Sequence, residues 1–243
     1  MSEQLTGTVH RPGDISLSQR ARMCELLNEL FENVSREQFD ADLAEKEWVF
    51  VFSDDRGTVQ GFSTLMCLNV TVDGRPVVAV YSGDTLIHPD FWHELELPKL
   101  WGKHVFDLAA EVHAKTPEAK VYWFLISSGY KTYRFLPVFF ANFYPTYRQP
   151  TPPQIQRTID ALARYKFGDQ YDPAAGIIRF AHSAPLREGV AEVDERRLKN
   201  RDIAFFVEKN PGHAAGEQLA CLVEIDHANI TSAGMRMLGM ERG

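Results

Sequence analysis

The stretch 77–110, VVAVYSGDTLIHPDFWHELELPKLWGKHVFDLAA, limits what this chain can fold into more than any other. Val77 to Ile87 is dense in β-branched and apolar residues and reads as a buried strand, after which Leu100, Val105, Phe106 and Leu108 recur at roughly helical spacing. Pro89 lacks an amide hydrogen and fixes φ, so strand pairing has to stop at His88-Pro89. Val121 to Ile126 is then a continuous apolar run, the pattern of a strand covered on both faces. Two such strands joined by a helix over Leu97 to Ala114 are predicted to lie side by side and parallel.

The flanks of this unit are also legible. Residues 1–15 are polar and carry Pro12 and Gly13, and are read as a lead-in segment. Ser16 or Ser18 is placed to cap a helix through Met23, Leu26, Leu27, Leu30 and Phe31, and Ser35 with Gln38 fits a capping box for a second helix carrying Phe39 and Leu43. Trp48 to Phe52, Thr58 to Val72 and Val77 to Ile87 form an expected antiparallel meander, with turns at Asp54-Asp55-Arg56-Gly57 and Asp73-Gly74. After Val121 to Ile126, residues Tyr130 to Phe143 read as one helix capped by a serine and kinked or cut at Pro137. Pro145 to Pro153 reads as a loop and Ile155 to Tyr165 as an amphipathic helix. Ile177 to Ala181, Ile203 to Val207 and Gln218 to Ile225 are strand candidates, the last two joined in a hairpin at Asn210-Pro211-Gly212, and Ala228 to Leu238 is a closing helix. The expectation is a single α+β domain over 1–243, with 150–243 completing the sheet or forming a small C-terminal extension.

A net charge of −7 argues against a general nucleic-acid binder, which needs a basic surface to neutralise phosphates. The first residues lack a basic start followed by an apolar run, and no run reaches the length of a membrane span, so a cytoplasmic protein is expected. Cys24, Cys67 and Cys221 are odd in number and far apart, which suggests reduced thiols, and no metal site is expected.

The pattern Asp84-Thr85-Leu86-Ile87-His88-Pro89-Asp90-Phe91 resembles the central strand of the Gcn5-related N-acetyltransferase (GNAT) superfamily, over about residues 47–145. The resemblance implies a mixed, mostly antiparallel sheet with a parallel splayed pair, flanked by helices. It also implies an N-acyltransferase moving an acyl group from a pantetheine thioester to a small-molecule or peptide amine. The donor would be an acyl-CoA, or the acyl-phosphopantetheine of an acyl carrier protein. Backbone groups around Leu86, Ile87 and His88 would hold the pantetheine arm, with Ser128 at the end of the neighbouring strand. A tyrosine on the following helix, Tyr133 or Tyr130, would protonate the leaving thiolate. This chain departs from the family at one place. Where a glycine turn normally cradles a pyrophosphate, it has Trp92-His93-Glu94-Leu95-Glu96-Leu97-Pro98-Lys99, with carboxylates in place of bare amides.

Read residue by residue, Asp84 is a carboxylate inside an otherwise apolar strand and a candidate base, or else the partner of a nearby cation. Tyr133 is equally a core aromatic with a satisfied hydroxyl. His88 and His93 flank the turn as candidates for a phosphate contact or a base, and Lys99 is a candidate for a single phosphate, as in a carrier-borne phosphopantetheine. The aromatic run Phe135 to Tyr144 either lines an acyl channel or packs on the sheet. The alternative function is a non-catalytic protein of this fold that binds a ligand or partner in the cleft.

Overall fold

The computed structural model describes residues 4–190 and 192–239, so residues 1–3 of the expected lead-in segment and 240–243 of the expected single domain lie outside it. Eight strands form one sheet: β1 Thr6–His10, β2 Trp48–Ser53, β3 Val59–Val72, β4 Arg75–Ile87, β5 Lys120–Ser127, β6 Tyr171–Asp172, β7 Ile177–Ile178 and β8 Gln218–Glu224. Their order across the sheet is β1-β2-β3-β4-β5-β8-β7-β6. Every neighbouring pair is antiparallel except β4 and β5, which run parallel. This is the α+β architecture expected from the sequence, and the C-terminal strands complete the same sheet.

The meander forms because its turns have the residues that the geometry needs. Asp73 and Gly74 both take positive φ, 50° and 76°, as a two-residue turn between right-twisted strands requires. Asp54 closes the preceding turn by accepting from the amides of Arg56 and Thr58, each at 2.9 Å.

Helices α1 Leu17–Leu30, α2 Arg36–Ala44 and α6 Pro153–Phe167 cover one face of the sheet. On the other lie α3 Glu96–Lys115, the short α4 Tyr130–Tyr133 and α5 Phe135–Phe139, and, beyond α7 Glu195–Leu198, α8 Arg201–Lys209 and α9 Ser232–Met237. Ser16 caps α1 with a full capping box to Gln19, and Ser35 caps α2 through Gln38 N. Among the described residues no helix is long and apolar enough to cross a membrane. The three cysteines are free, two buried and Cys67 half-buried.

Several expectations are corrected. Thr6–His10 is an edge strand paired with β2. Its alternation is mostly exposed, so the sequence carries little apolar signal there. Tyr130 to Phe143 is two short helices meeting at Arg134, with Gly129 at the N-cap and no side-chain cap. Pro137 sits inside α5, and the chain leaves the helical path at Phe140. Ile203 to Val207 is helix, so Asn210-Pro211-Gly212 joins a helix to β8 and no hairpin forms there. Asn200 decides this by accepting from the amides of Asp202 and Ile203, which fixes a helical start. Ile203 and Phe206, one turn apart, are then buried.

Candidate active site in a cleft through the sheet

β4 and β5 pair from Val77–Lys120 to Ser82–Leu125 and then part, β4 continuing beside β3 and β5 beside β8. At the point of parting, Trp123 donates through its indole to Ser82 Oγ at 2.9 Å. The gap beyond it opens a cleft of about 890 Å³ that reaches both faces of the sheet.

A bulge sets what faces this gap. Ser63 lies opposite Thr85 and Leu65 opposite Ser82, so Thr64 alone faces two residues, Gly83 and Asp84. The extra residue reverses the alternation of β4. Val80 packs with α3 on one face, whereas Leu86, an even number of residues later, packs with α1 and α2 on the other. Asp84 shares the parity of Leu86 and so joins the α1–α2 face.

Gly83 is required here by close approach. A Cβ on it would lie 2.5 Å from Thr64 Oγ1 and 2.7 Å from Lys46 Cε.

Asp84 faces the cleft and keeps some surface, but protein crowds it on all sides. That burial pushes its carboxyl up to about 6, Asp42 raising it further and Lys46 opposing. Lys46 is 1% exposed in its side chain, and its Nζ lies 2.8 Å from Asp42 Oδ2 in an ion pair whose angles fall short of a hydrogen bond. Lys166, on α6, bonds Glu45 and holds that carboxyl below its usual range. Both lysine Nζ atoms lie over the Tyr81 ring, at 5.9 and 5.8 Å. Burial raises the Tyr81 hydroxyl well above the ordinary tyrosine range, so it stays protonated. The site on this face thus combines a near-neutral carboxylate with a compensated set of charges.

The backbone along the gap divides by register. His88 N donates to Gln60 O at 2.7 Å, and alternate residues of an antiparallel strand face alternate neighbours. The amides of His88 and Leu86 therefore face β3, while those of Ile87 and Thr85 face the gap that β5 vacates. Ile87 O already accepts from the Trp92 indole at 2.8 Å, and Lys131 Nζ of α4 sits 3.4 Å above the Trp92 ring. Trp92 and Lys131 thus clasp the two sides of the gap.

Of the residues singled out from sequence, Asp84 and Ser128 line the cleft. Leu86 is buried against α1 and α2. His88 turns toward Glu29 and Asp90, at 3.7 and 3.6 Å. His93 is largely exposed beside Glu94, and Lys99 is exposed. Tyr133 is fully buried, and its hydroxyl donates to Pro145 O at 2.9 Å within a group of Phe143, Phe205 and Phe206. Burial drives that hydroxyl far above the tyrosine range, and its bond to Pro145 O ties it to the backbone outside the cleft lining. Tyr130 is buried next to it and likewise outside the cleft wall.

At the start of α3 no side chain caps the first amides, and Glu96 places a carboxylate in the first turn, where it disfavours an anion. Among the described residues no group of three or more His, Cys, Asp or Glu side chains is arranged to hold a metal ion.

Sequence reasoning missed Asp42, Glu45, Lys46 and Lys166. The spacing of Asp42 and Lys46 on a helix end was visible, but their approach to Asp84 depends on the fold.

No family model matches this chain, and no curated protein does. Solved structures give partial likenesses. One is a conserved protein of unknown function and probable N-acyltransferase from Enterococcus faecalis V583, with 16% identity and a TM-score of 0.42 over 58% of this chain and 33% of that one. The chain therefore spans about one third of that protein's length. A second is a GNAT family N-acetyltransferase from Escherichia coli in complex with CoA, with 18% identity and a TM-score of 0.36 over 56% and 69% of the two chains. Glucosamine-6-phosphate N-acetyltransferase from Arabidopsis thaliana gives 18% identity and a TM-score of 0.33 over 49% and 81%.

Proposed function

We propose that this protein is an N-acyltransferase that moves an acyl group from a pantetheine thioester to an amine. The observation that carries this reading is the carboxyl of Asp84, raised to about 6 at the point where β4 and β5 part. A carboxylate in that range is ionised at neutral pH, yet basic enough to take the proton that a neutral amine nitrogen sheds once it has bonded to the thioester carbon. The amides of Thr85 and Ile87 face the same gap and supply donors for the extended pantetheine arm. Asp42 and Glu45 lie on the same side of the cleft as Asp84, each neutralised by a lysine, which leaves the Asp84 carboxylate as the uncompensated anion of this group.

The chemistry then needs few groups. The amine nitrogen bonds to the thioester carbon, its proton passes to Asp84, and the carbon–sulfur bond breaks. A thiol titrates near 8.5, so its thiolate is a fair leaving group and takes a proton from solvent in the open cleft, to which Asp84 releases the proton that it took. No tyrosine is required.

A donor whose phosphate is a single diester, as on an acyl carrier protein, suits the start of α3 better than coenzyme A. It places no diphosphate beside Glu96. The test is intact-mass analysis of acylated carrier protein and of matching acyl-CoA, each incubated with the protein and a pool of amines. Loss of acyl from the carrier with an acylated amine appearing supports the reading. If neither donor is consumed, the enzyme reading fails.

A second reading is a non-catalytic protein that binds a ligand in the cleft. The clasp of Trp92 and Lys131 favours it, because it already occupies the carbonyl of Ile87. A thermal-shift response to a metabolite without turnover of any thioester would select it.

A further inference from the structure

The cleft continues to the α3 face of the sheet, and there its wall changes character. Leu97, Trp101 and Phe106 of α3, Trp123 of β5, Phe139 of α5 and Leu238 after α9 line this half. Among its described lining residues none is charged, and its polar side-chain groups are the hydroxyls of Ser82, Ser128 and Thr132 and the Trp123 indole, which bonds Ser82. Trp101 and Trp123 pack with ring centroids 4.5 Å apart and planes tilted by 51°, forming an aromatic floor. Leu238 closes the far end directly on α3. A Cβ on Gly102 would meet Leu238 Cδ2 at 2.6 Å, so a larger residue there would displace the Leu238 side chain.

We infer that this apolar half holds the hydrocarbon tail of a medium-length acyl thioester and sets the chain length that the protein accepts. The inference deepens the acyltransferase reading and rests on it. A recess of this kind, walled mainly by aromatic and aliphatic side chains, gains most from an apolar occupant that removes those surfaces from water. It opens onto the gap beside Asp84, where the thioester carbon would lie, so a tail attached to that carbon is the occupant that joins both halves. An acetyl group would leave it unfilled. Its α3 wall runs from Leu97 to Phe106, about 14 Å at 1.5 Å per residue. A zigzag chain with C–C bonds near 1.5 Å advances about 1.25 Å per carbon, which gives room for about ten carbons. The aromatic run that began as either channel or packing is divided between these roles. Phe135, Phe139 and Phe140 line the cleft, while Phe143 is core.

The test measures binding without turnover, so it separates this inference from the chemistry at Asp84. Non-hydrolysable S-alkyl pantetheine thioethers, from ethyl through hexyl and decyl to tetradecyl, are titrated by calorimetry and by quenching of tryptophan fluorescence. Affinity should rise about four-fold per methylene up to decyl, the ratio that corresponds to about 0.8 kcal/mol per buried methylene, and then level off. Leu238→Trp should move the plateau to shorter chains and leave the ethyl compound unaffected, and Phe139→Ala should move it to longer ones. Equal affinity for ethyl and decyl, or a Leu238→Trp effect that is the same at every length, would overturn the inference. Length-dependent affinity in a protein that transfers no acyl group would uphold the pocket and remove the enzyme reading.

Discussion

The two halves of the cleft bury opposite kinds of group, although one strand pair builds both. On the α1–α2 face, Asp42, Glu45, Lys46, Asp84 and Lys166 gather charges of both signs around a carboxylate that does not carry its charge easily. On the α3 face, Trp101, Phe106 and Trp123 present carbon. The difference comes from the bulge at Gly83-Asp84. Without it Asp84 would follow Val80 onto the apolar face, where an ionised carboxylate has no compensation. A single inserted residue thus places a carboxylate and an apolar lining on opposite faces of one strand pair.

The sharpest way to break this contrast is Asp84→Asn. Transfer should fall by 10²-fold or more, the range of a lost general base, as read by product formation under single-turnover conditions. The same change should stabilise the fold. In the unfolded chain the carboxyl titrates near 3.8 and in the folded one near 6. Below the lower value both states are protonated and no cost arises. As pH rises through that window the unfolded state releases its proton first, so stability falls, by on the order of 3 kcal/mol at most by pH 7. A higher Tm for Asp84→Asn at pH 7 and an equal one near pH 3 would bear this out. An unchanged Tm at both would show that the carboxylate is not buried at a cost.

Two further substitutions test the charges around it in opposite directions. Lys46 lowers the Asp84 carboxyl, so Lys46→Met should move the midpoint of the transfer pH profile upward from about 6. Asp42 raises it, so Asp42→Asn should move the midpoint downward. Shifts of the same sign in both variants would remove Asp84 as the titrating group.

The smallest effect is expected from Tyr133→Phe. Its hydroxyl bonds Pro145 O away from the cleft, so transfer and its pH profile should be unaltered while stability drops by about 1 kcal/mol in chemical denaturation. A drop in transfer of 10²-fold at unchanged stability would restore the tyrosine acid that the family resemblance implies.

Parts of this molecule could be read directly from the chain. Strands β2 to β5 and helix α3 carry dense apolar patterns, and Pro89 and Asp73-Gly74 mark where strands end and turn. Asp84 stood out because a carboxylate within an apolar strand needs a reason. Other elements carried no such signal. β1 is short and mostly exposed, and its pairing with β2 is a tertiary fact. The run Ile203 to Val207 is apolar enough for either a strand or a helix, and only the cap from Asn200 and the packing of Phe206 decided between them.

By itself, the sequence determined the identity and order of the central elements, because periodicity, proline and turn residues act over a few neighbours. The tertiary structure alone decided which face Asp84 meets, that burial there raises its proton affinity with Asp42 adding and Lys46 opposing, and that the Tyr133 hydroxyl bonds Pro145 O. Each of these depends on register and on contacts between residues far apart in the chain. A bulge shifts register by one residue, which reverses every later side chain of the strand while leaving its composition unchanged.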